Sequence, residues 1–410
     1  MKLYLSGPSD KLLKSHIKIT GSKSESNRLL LLKACYPGIS IKNLSNSDDA
    51  AVMKKGIQVN EGEVDIHHAG TAMRFLTSYF ASHEGKHVTL TGSQRMQERP
   101  IKILVDALKS LGADITYLKN ENYPPLRING RTLSKAKVKL PADISSQYIS
   151  SLLLIAPGLE RGLQLELIGN ITSVPYIKMT LGLLGQIGVE SSFDGNIITV
   201  LPKRSVGELT LTVESDWSSA SYYYSIAALS DIGTKISLSS YRKDSLQGDS
   251  ILKELYKDFG VNTEFKKDSI TLSKSKIGLK KDVHYDLTNA PDLAQTIAVT
   301  CFGMGIRCHL SGLHTLKIKE TDRLVALKKE LSKLGAAISV TNSMLSLEPS
   351  DGIKKGVAID TYNDHRMAMA FSPLALKEEI AINDAEVVSK SYPDFWEDLE
   401  HLGFKIRNQE

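Results

Sequence analysis

The sequence predicts an α/β protein of two domains, each made of three related units that combine one buried helix, one amphipathic helix and short strands. Three observations lead there. The chain has 410 residues, more than one ordinary core accommodates. A pattern of amphipathic helix, glycine and β-like run recurs six times. Six further segments are small or apolar on most faces after a polar first turn, which marks buried helices.

The recurring pattern reads "VMKKGIQV" (52–59), "ALKSLGADITYL" (107–118), "LGLLGQIGVESSF" (181–193), "LKELYKDFGVNTEF" (252–265), "LKKELSKLGAAISV" (327–340) and "LEHLGFKI" (399–406). Its glycines are Gly56, Gly112, Gly188, Gly260, Gly335 and Gly403, at intervals of 56, 76, 72, 75 and 68 residues. A glycine just past a helix end adopts left-handed backbone and turns the chain into a strand, so all six are expected as caps. Intervals this long, with two kinds of helix per unit, favour globular α/β units over short stacked repeats. The buried segments are "SESNRLLLLKAC", "AGTAMRFLTSYFA", "SSQYISSLLLIA", "DWSSASYYYSIAAL", "APDLAQTIAVTCF" and "YNDHRMAMAFSPLAL".

Hydrophobic residues at 41% and charged residues at 24% describe an ordinary soluble globular protein. The net charge of +5 is spread along the chain, which fits small anions at least as well as nucleic acid. Cys35, Cys301 and Cys308 sit among apolar residues, without metal spacing, and are expected as reduced, buried thiols. The opening "MKLYLSGPSDKLL" has no apolar signal core, and no apolar run is long enough to span a membrane. A cytoplasmic protein is the simplest reading. No phosphate-cradling Gly-x-x-x-x-Gly-Lys loop and no Gly-x-Gly-x-x-Gly turn is present, and the His67–His68 pair alone is a weak metal signal.

The first turn of a helix carries unpaired N–H groups and the positive end of the helix dipole, so it attracts anions. Six buried helices aimed at a common cleft make that cleft electropositive. Lys23, Arg28, Arg74, Arg99, Lys319, Arg323, Arg366 and Lys390 add to it. Ser24 and Arg28 are four apart, as are Lys319 and Arg323, so each pair can share a face. Arginine grips carboxylate or phosphate with two donors, and lysine supplies a movable point charge. Ser145, Ser146 and Ser173 are short donors suited to phosphate. Each piece has a plain alternative: solvated first-turn charges, simple serine caps, Thr321 as the cap of "KETDRL", and Asp292 as compensation for a helix dipole. "DHR" (364–366) resists that reading, because three consecutive ionisable residues fan around one helix start. The ligand implied is small and multiply anionic.

Taken together, "GSKSESNRLLLL", "SNSDDA", "AGTAMRFL", "RMQERPIKILVDAL", "YPPLRI", "SSQYISSLLL", "KIKETDRL", "TYNDHRMAMAF" and "SKSYPDFW" resemble the 5-enolpyruvylshikimate-3-phosphate synthase family, from about Ile19 to Trp396. The resemblance implies an inside-out α/β architecture: two domains of three βαβαββ-like units, with buried helices pointing their N-termini at an interdomain cleft. It places 21–213 in one domain and 1–20 with 214–410 in the other, joined by hinges near 20 and 214. The implied activity moves the enolpyruvyl group of phosphoenolpyruvate to the 5-hydroxyl of shikimate 3-phosphate and releases phosphate through a tetrahedral intermediate. No metal or organic cofactor, no nucleic acid, no membrane and a monomer are expected.

By the same resemblance, Lys23, Ser24, Arg28, Ser145, Ser146, Gln147, Ser173, Asp292 and Lys319 hold shikimate 3-phosphate. Lys23, Gly70, Arg99, Gln147, Arg323, Arg366 and Lys390 hold phosphoenolpyruvate. Asp292 accepts the hydroxyl proton, and Glu320, Lys23 and His365 are candidates for moving protons at the vinyl carbon. The chain departs from the family pattern at His68, Phe75 and Thr315, and the segment between Asp49 and Ala69 is short. The related transferase acting on UDP-N-acetylglucosamine presents a reactive cysteine on a mobile loop, and "GSQRMQERP" contains no thiol. A nucleic-acid-binding repeat protein requires aromatics interleaved with a basic stripe, whereas the aromatics here lie mostly in apolar or helical contexts.

Overall fold

Buried helices need partners on every side, and this chain supplies them by bundling helices in threes and covering them with small sheets. The computed structural model describes residues 1–408 except 142–144, 170, 172–173, 277–278 and 351. The chain divides into two compact units: Gly21–Val213, the N-terminal unit, and Met1–Thr20 with Glu214–Glu410, the C-terminal unit.

The N-terminal unit contains α1 (Lys23–Cys35), α2 (Asp48–Gly56), α3 (Gly70–Ala81), α4 (Gln94–Gln97), α5 (Lys102–Leu111), α6 (Ser146–Ile155) and α7 (Val174–Gln186). α1, α3 and α6 pack against one another. In α3 every residue but Thr71 is buried, as expected of a helix with small and apolar residues all round. Buried hydroxyls on these helices pair across the bundle, with Ser78 Oγ donating to Ser151 Oγ at 2.9 Å.

Each helix of the trio is flanked by parallel strands. Glu61–Asp65 and His87–Thr91 pair in parallel around α3, and Lys137–Pro141 and Leu163–Ile168 around α6. Antiparallel strands extend each to a four-stranded sheet. Side chains alternate in burial along Leu163–Ile168, so one sheet face meets the core. The third sheet has only two strands, Ile39–Lys42 and Leu209–Thr212. The missing hairpin explains the shortest repeat interval, because α2 runs almost directly into Glu61–Asp65. It also overturns one expected cap. Gly56 ends α2 with Ile57 in right-handed conformation, and a Cβ there meets Leu76 Cδ1 at 2.6 Å. Gly56 thus permits close helix packing, whereas Gly112, Gly188, Gly260, Gly335 and Gly403 all have positive φ.

The C-terminal unit contains α8 (Trp217–Leu229), α9 (Leu252–Leu255), α10 (Ala294–Met304), α11 (Arg323–Lys333), α12 (His365–Phe371) and α13 (Phe395–His401). Here α8, α10 and α12 form the inner trio. α8 and α10 are stitched by hydroxyls: Ser221 to Thr296 at 3.0 Å and Thr300 to Ser225 at 2.8 Å. Three four-stranded sheets surround it, each with one parallel pair. Leu3–Ser6 lies between Ile380–Ile382 and Lys405–Asn408, so the chain's first strand completes its last sheet.

All three thiols are free; Cys301 and Cys308 are buried, while Cys35 is half-buried rather than fully enclosed. Among the described residues no helix is long and apolar enough to cross a membrane, and no group of three or more side chains has metal-ligand placement.

Candidate active site

In the C-terminal unit, the starts of the three inner helices meet. Ser218 lies in the first turn of α8, Asp292 in the 3-10 turn Pro291–Leu293 leading into α10, and Arg366 in the first turn of α12. Arg366 Nη2 donates to Asp292 Oδ2 at 3.0 Å and to Ser218 Oγ at 3.3 Å. Asp364 caps α12 by accepting from Arg366 N at 2.9 Å. α11 approaches with Arg323 at its first position and Asp322, not Thr321, as its cap. The carboxylate of Asp322 accepts from Val325 N, one residue closer to the helix than the serine/threonine pattern suggested.

Asp292 is the hub. Its Oδ1 receives Arg323 Nη1 at 2.8 Å and lies 3.5 Å from Lys319 Nζ. Burial disfavours its charge, but Arg366, Lys319 and Arg323 outweigh that and hold the carboxyl well below the usual range. Arg323 is 1% exposed and entirely committed. Nε donates to Asp364 Oδ2 at 2.6 Å, Nη1 to Asp292, and Nη2 to Glu320 Oε2 at 2.8 Å. Burial works against its charge, yet the three carboxylates raise its pKa. Lys390, buried at the end of the 3-10 segment Ala385–Lys390, reaches Glu320 Oε1 at 3.3 Å. His365 is buried, with Nδ1 3.8 Å from Asp364 Oδ1.

In the N-terminal unit the starts of α3 and α6 meet through different chemistry, and the start of α1 lies against α2. Ser22 caps α1 and Ser145 caps α6, where its side chain accepts from Gln147 N. Gln147 Nε2 donates to Thr71 Oγ1 in the first turn of α3 at 3.2 Å. Ser146 opens α6 beside that contact. Lys23 Nζ lies 3.7 Å from Asp49 Oδ2. Arg28 is buried and held by neutral groups: Nε donates to Thr180 Oγ1 at 2.8 Å, Nη1 to Ser24 O at 2.7 Å and Nη2 to Ser150 Oγ at 2.9 Å. Its guanidinium also lies over the Phe75 ring at 5.4 Å. Burial lowers its pKa to about 10.

Arg99 passes across the face of Gly70, where an added Cβ would stand 2.8 Å from its Nη1. Arg74 sits beneath, donating to Gly70 O at 3.2 Å, and burial together with the Arg99 charge lowers its pKa to about 10. Ser173 lies outside the described residues.

The expected residues thus form two clusters, one in each unit. Lys23, Ser24, Arg28, Gly70, Arg99, Ser145, Ser146 and Gln147 belong to one; Asp292, Lys319, Glu320, Arg323, His365, Arg366 and Lys390 belong to the other. Several partners were not singled out from the sequence: Thr180 and Ser150 on Arg28, and Asp249 and Ser218 beside Arg366. Asp364, quoted within "DHR", was the one with a visible signal.

A family model described as EPSP synthase (3-phosphoshikimate 1-carboxyvinyltransferase) matches residues 38–399. The chain is 45% identical over 411 residues to a 3-phosphoshikimate 1-carboxyvinyltransferase of Bacteroides fragilis, covering 99% of each. It is 37% identical to the enzyme of the same name from Vibrio campbellii, covering 95% of this chain and 97% of the relative. Its fold is similar to the EPSP synthase of Acinetobacter baumannii, with a TM-score of 0.81 at 20% identity over the whole of both chains. It is also similar to the enolpyruvyl transferase NikO of Streptomyces tendae, with a TM-score of 0.72 at 13% identity, covering 100% of this chain and 99% of that one.

Proposed function

This chain belongs to the EPSP synthase (3-phosphoshikimate 1-carboxyvinyltransferase) family, and from that premise we propose that it transfers the 1-carboxyvinyl group of phosphoenolpyruvate to the 5-hydroxyl of shikimate 3-phosphate, releasing phosphate. The observation that carries the chemistry is Asp292, a carboxylate kept ionised by Lys319, Arg323 and Arg366.

Shikimate 3-phosphate is bound by Lys23, Ser24, Arg28, Ser145, Ser146, Gln147, Ser173, Asp292 and Lys319. Phosphoenolpyruvate is bound by Lys23, Gly70, Arg99, Gln147, Arg323, Arg366 and Lys390. Arg323 does so at second hand, because its own nitrogens are on Asp292, Glu320 and Asp364 and it fixes where those carboxylates point. The enzyme works as a monomer in the cytoplasm, without a metal or organic cofactor.

In the addition step the 5-hydroxyl oxygen bonds to C2 of phosphoenolpyruvate, its proton passes to Asp292, and C3 gains a proton to become a methyl group. In the elimination step a C3 proton and the phosphate leave, restoring the double bond. Glu320 is the candidate for C3, with Lys23 and His365 as further proton carriers. A carboxylate held far below its ordinary pKa is a weak base. Ligand anions that take up part of the charge of Arg366 and Lys319 weaken the attraction that depresses it, so its basicity rises when substrate arrives. Positioning and a charged, fixed environment supply the remaining acceleration.

The test is phosphate release from phosphoenolpyruvate by the purified, folded protein. Release that requires shikimate 3-phosphate supports the proposal. No release with it, or release with UDP-N-acetylglucosamine in its place, rejects it.

A further inference from the structure

Resting on that reading, we propose that Asp249 is a positioning residue for phosphoenolpyruvate binding, acting through Ser218 to fix the Arg366 guanidinium edge that faces Asp292. Asp249 is buried in the 3-10 segment Gly248–Ile251, away from every motif that carried the family resemblance. Its Oδ2 accepts a hydrogen bond from the Ser218 hydroxyl. That fixes the rotor, so a lone pair of Ser218 Oγ is turned to Arg366 Nη2 at 3.3 Å. The same Nη2 reaches Asp292 Oδ2 at 3.0 Å. A serine hydroxyl alone rotates freely; one locked to a carboxylate is a directed acceptor.

The segment carrying Asp249 is itself stapled to the start of α8. Gln247 Oε1 accepts from Trp217 N at 2.9 Å, and its Nε2 donates to Ser215 O at 2.9 Å. Glu214, also buried, accepts from Trp217 Nε1 at 2.8 Å and Ser245 Oγ at 2.6 Å. A loop held this firmly is a fixed support for the carboxylate it presents.

Asp249 sits there at a cost to stability. Burial and the neighbouring Asp292 and Asp216 charges push its pKa up to about 6, against the pull of Arg366 and Ser218. Of the other charged groups behind this contact, Lys319, Arg323 and Glu320 bear on it through Asp292, and Asp364 through Arg323 and the Arg366 N–H. The native state therefore holds the proton more tightly than the unfolded chain, and the contribution of this group to stability falls as pH rises from about 4 to about 6. A residue kept only for packing has no reason to carry that charge.

The experiment measures kcat and KM for each substrate, and the thermal midpoint, for Asp249→Asn, Ser218→Ala and the double variant. At about pH 8, each single variant is expected to raise KM for phosphoenolpyruvate by about tenfold, the scale of one charge-assisted hydrogen bond. KM for shikimate 3-phosphate stays within about twofold, and the double variant is no worse than either single one. The midpoint of Asp249→Asn is equal to or above that of the parent, because a buried charge has been removed. The parent loses more kcat/KM for phosphoenolpyruvate than Asp249→Asn as pH falls through about 6, the loss common to both being that of the substrate phosphates, which titrate in the same range. An active parent with both single variants unchanged in KM, or with additive effects, overturns the positioning role alone. A folded parent that releases no phosphate overturns the function and this role together.

Discussion

The arginines of the inner helices in the N-terminal unit are held by neutral groups, and the arginines of the C-terminal cluster by carboxylates. Arg28 is surrounded by Thr180, Ser150 and the Ser24 carbonyl, and among the described residues Arg28, Arg74 and Arg99 have no carboxylate at salt-bridge distance. Around Arg323 and Arg366, four cations (Lys319, Arg323, Arg366 and Lys390) meet four carboxylates, Asp249, Asp292, Glu320 and Asp364. In the first cluster Lys23 has the Asp49 carboxylate 3.7 Å away, while the three arginines keep a standing positive charge for an arriving anion. The second is neutral in itself, so an arriving anion has to compete with Asp292 and Glu320, and in doing so frees them. One region is built to attract and the other to exchange.

The largest test of this contrast is Asp292→Ala. If Asp292 is the group released for proton transfer, kcat falls by roughly 10²–10⁴-fold, the usual contribution of a general base. Steady-state phosphate release measures it, and activity near that of the parent would assign the proton elsewhere.

Next comes Arg323→Met, which leaves Asp364, Asp292 and Glu320 buried beside one another without their shared cation. Removing one partner from a buried ionic cluster costs about 3–5 kcal/mol, read as a lower midpoint in urea unfolding. Arg28→Met is the matching change in the other unit and should cost less, under about 2 kcal/mol, because it strands only hydroxyls and carbonyls and removes a charge that burial already disfavours. Equal losses in the two variants would dissolve the distinction between the clusters.

The contrast was not legible in the sequence, although much of what frames it was. The six buried helices stood out because "RFLTSYFA" or "YYYSIAAL" has no polar face to give to water, a property of adjacent residues alone. The cations at their starts were equally visible. Which of them has a carboxylate partner depends on chain segments far apart: Arg323 meets Asp292 across 31 residues and Asp364 across 41, and Arg366 meets Asp292 across 74. No spacing rule reaches that far. Asp249, in the unremarkable "LQGDS", had no local mark at all. Gly56 shows the same limit in the fold, since its role is set by Leu76, a neighbour on another helix.

The smallest expected effect, and the finest probe of the N-terminal cluster, is Gly70→Ala. Gly70 opens α3 with ordinary backbone angles, so alanine adds no conformational strain there and is a better helix former. The new methyl group would stand 2.8 Å from Arg99 Nη1, closer than any real contact allows. The obstacle is the far end of a flexible side chain, so the guanidinium moves and the helix does not. If Arg99 grips phosphoenolpyruvate, a displacement of that size costs about tenfold in its KM, with stability within about 0.5 kcal/mol of the parent. KM for shikimate 3-phosphate should stay close to that of the parent, since the three atoms nearest this methyl group all belong to Arg99. A loss of stability without a change in KM would show that the methyl group disturbs α3 itself, and that Arg99 is not part of the attracting charge.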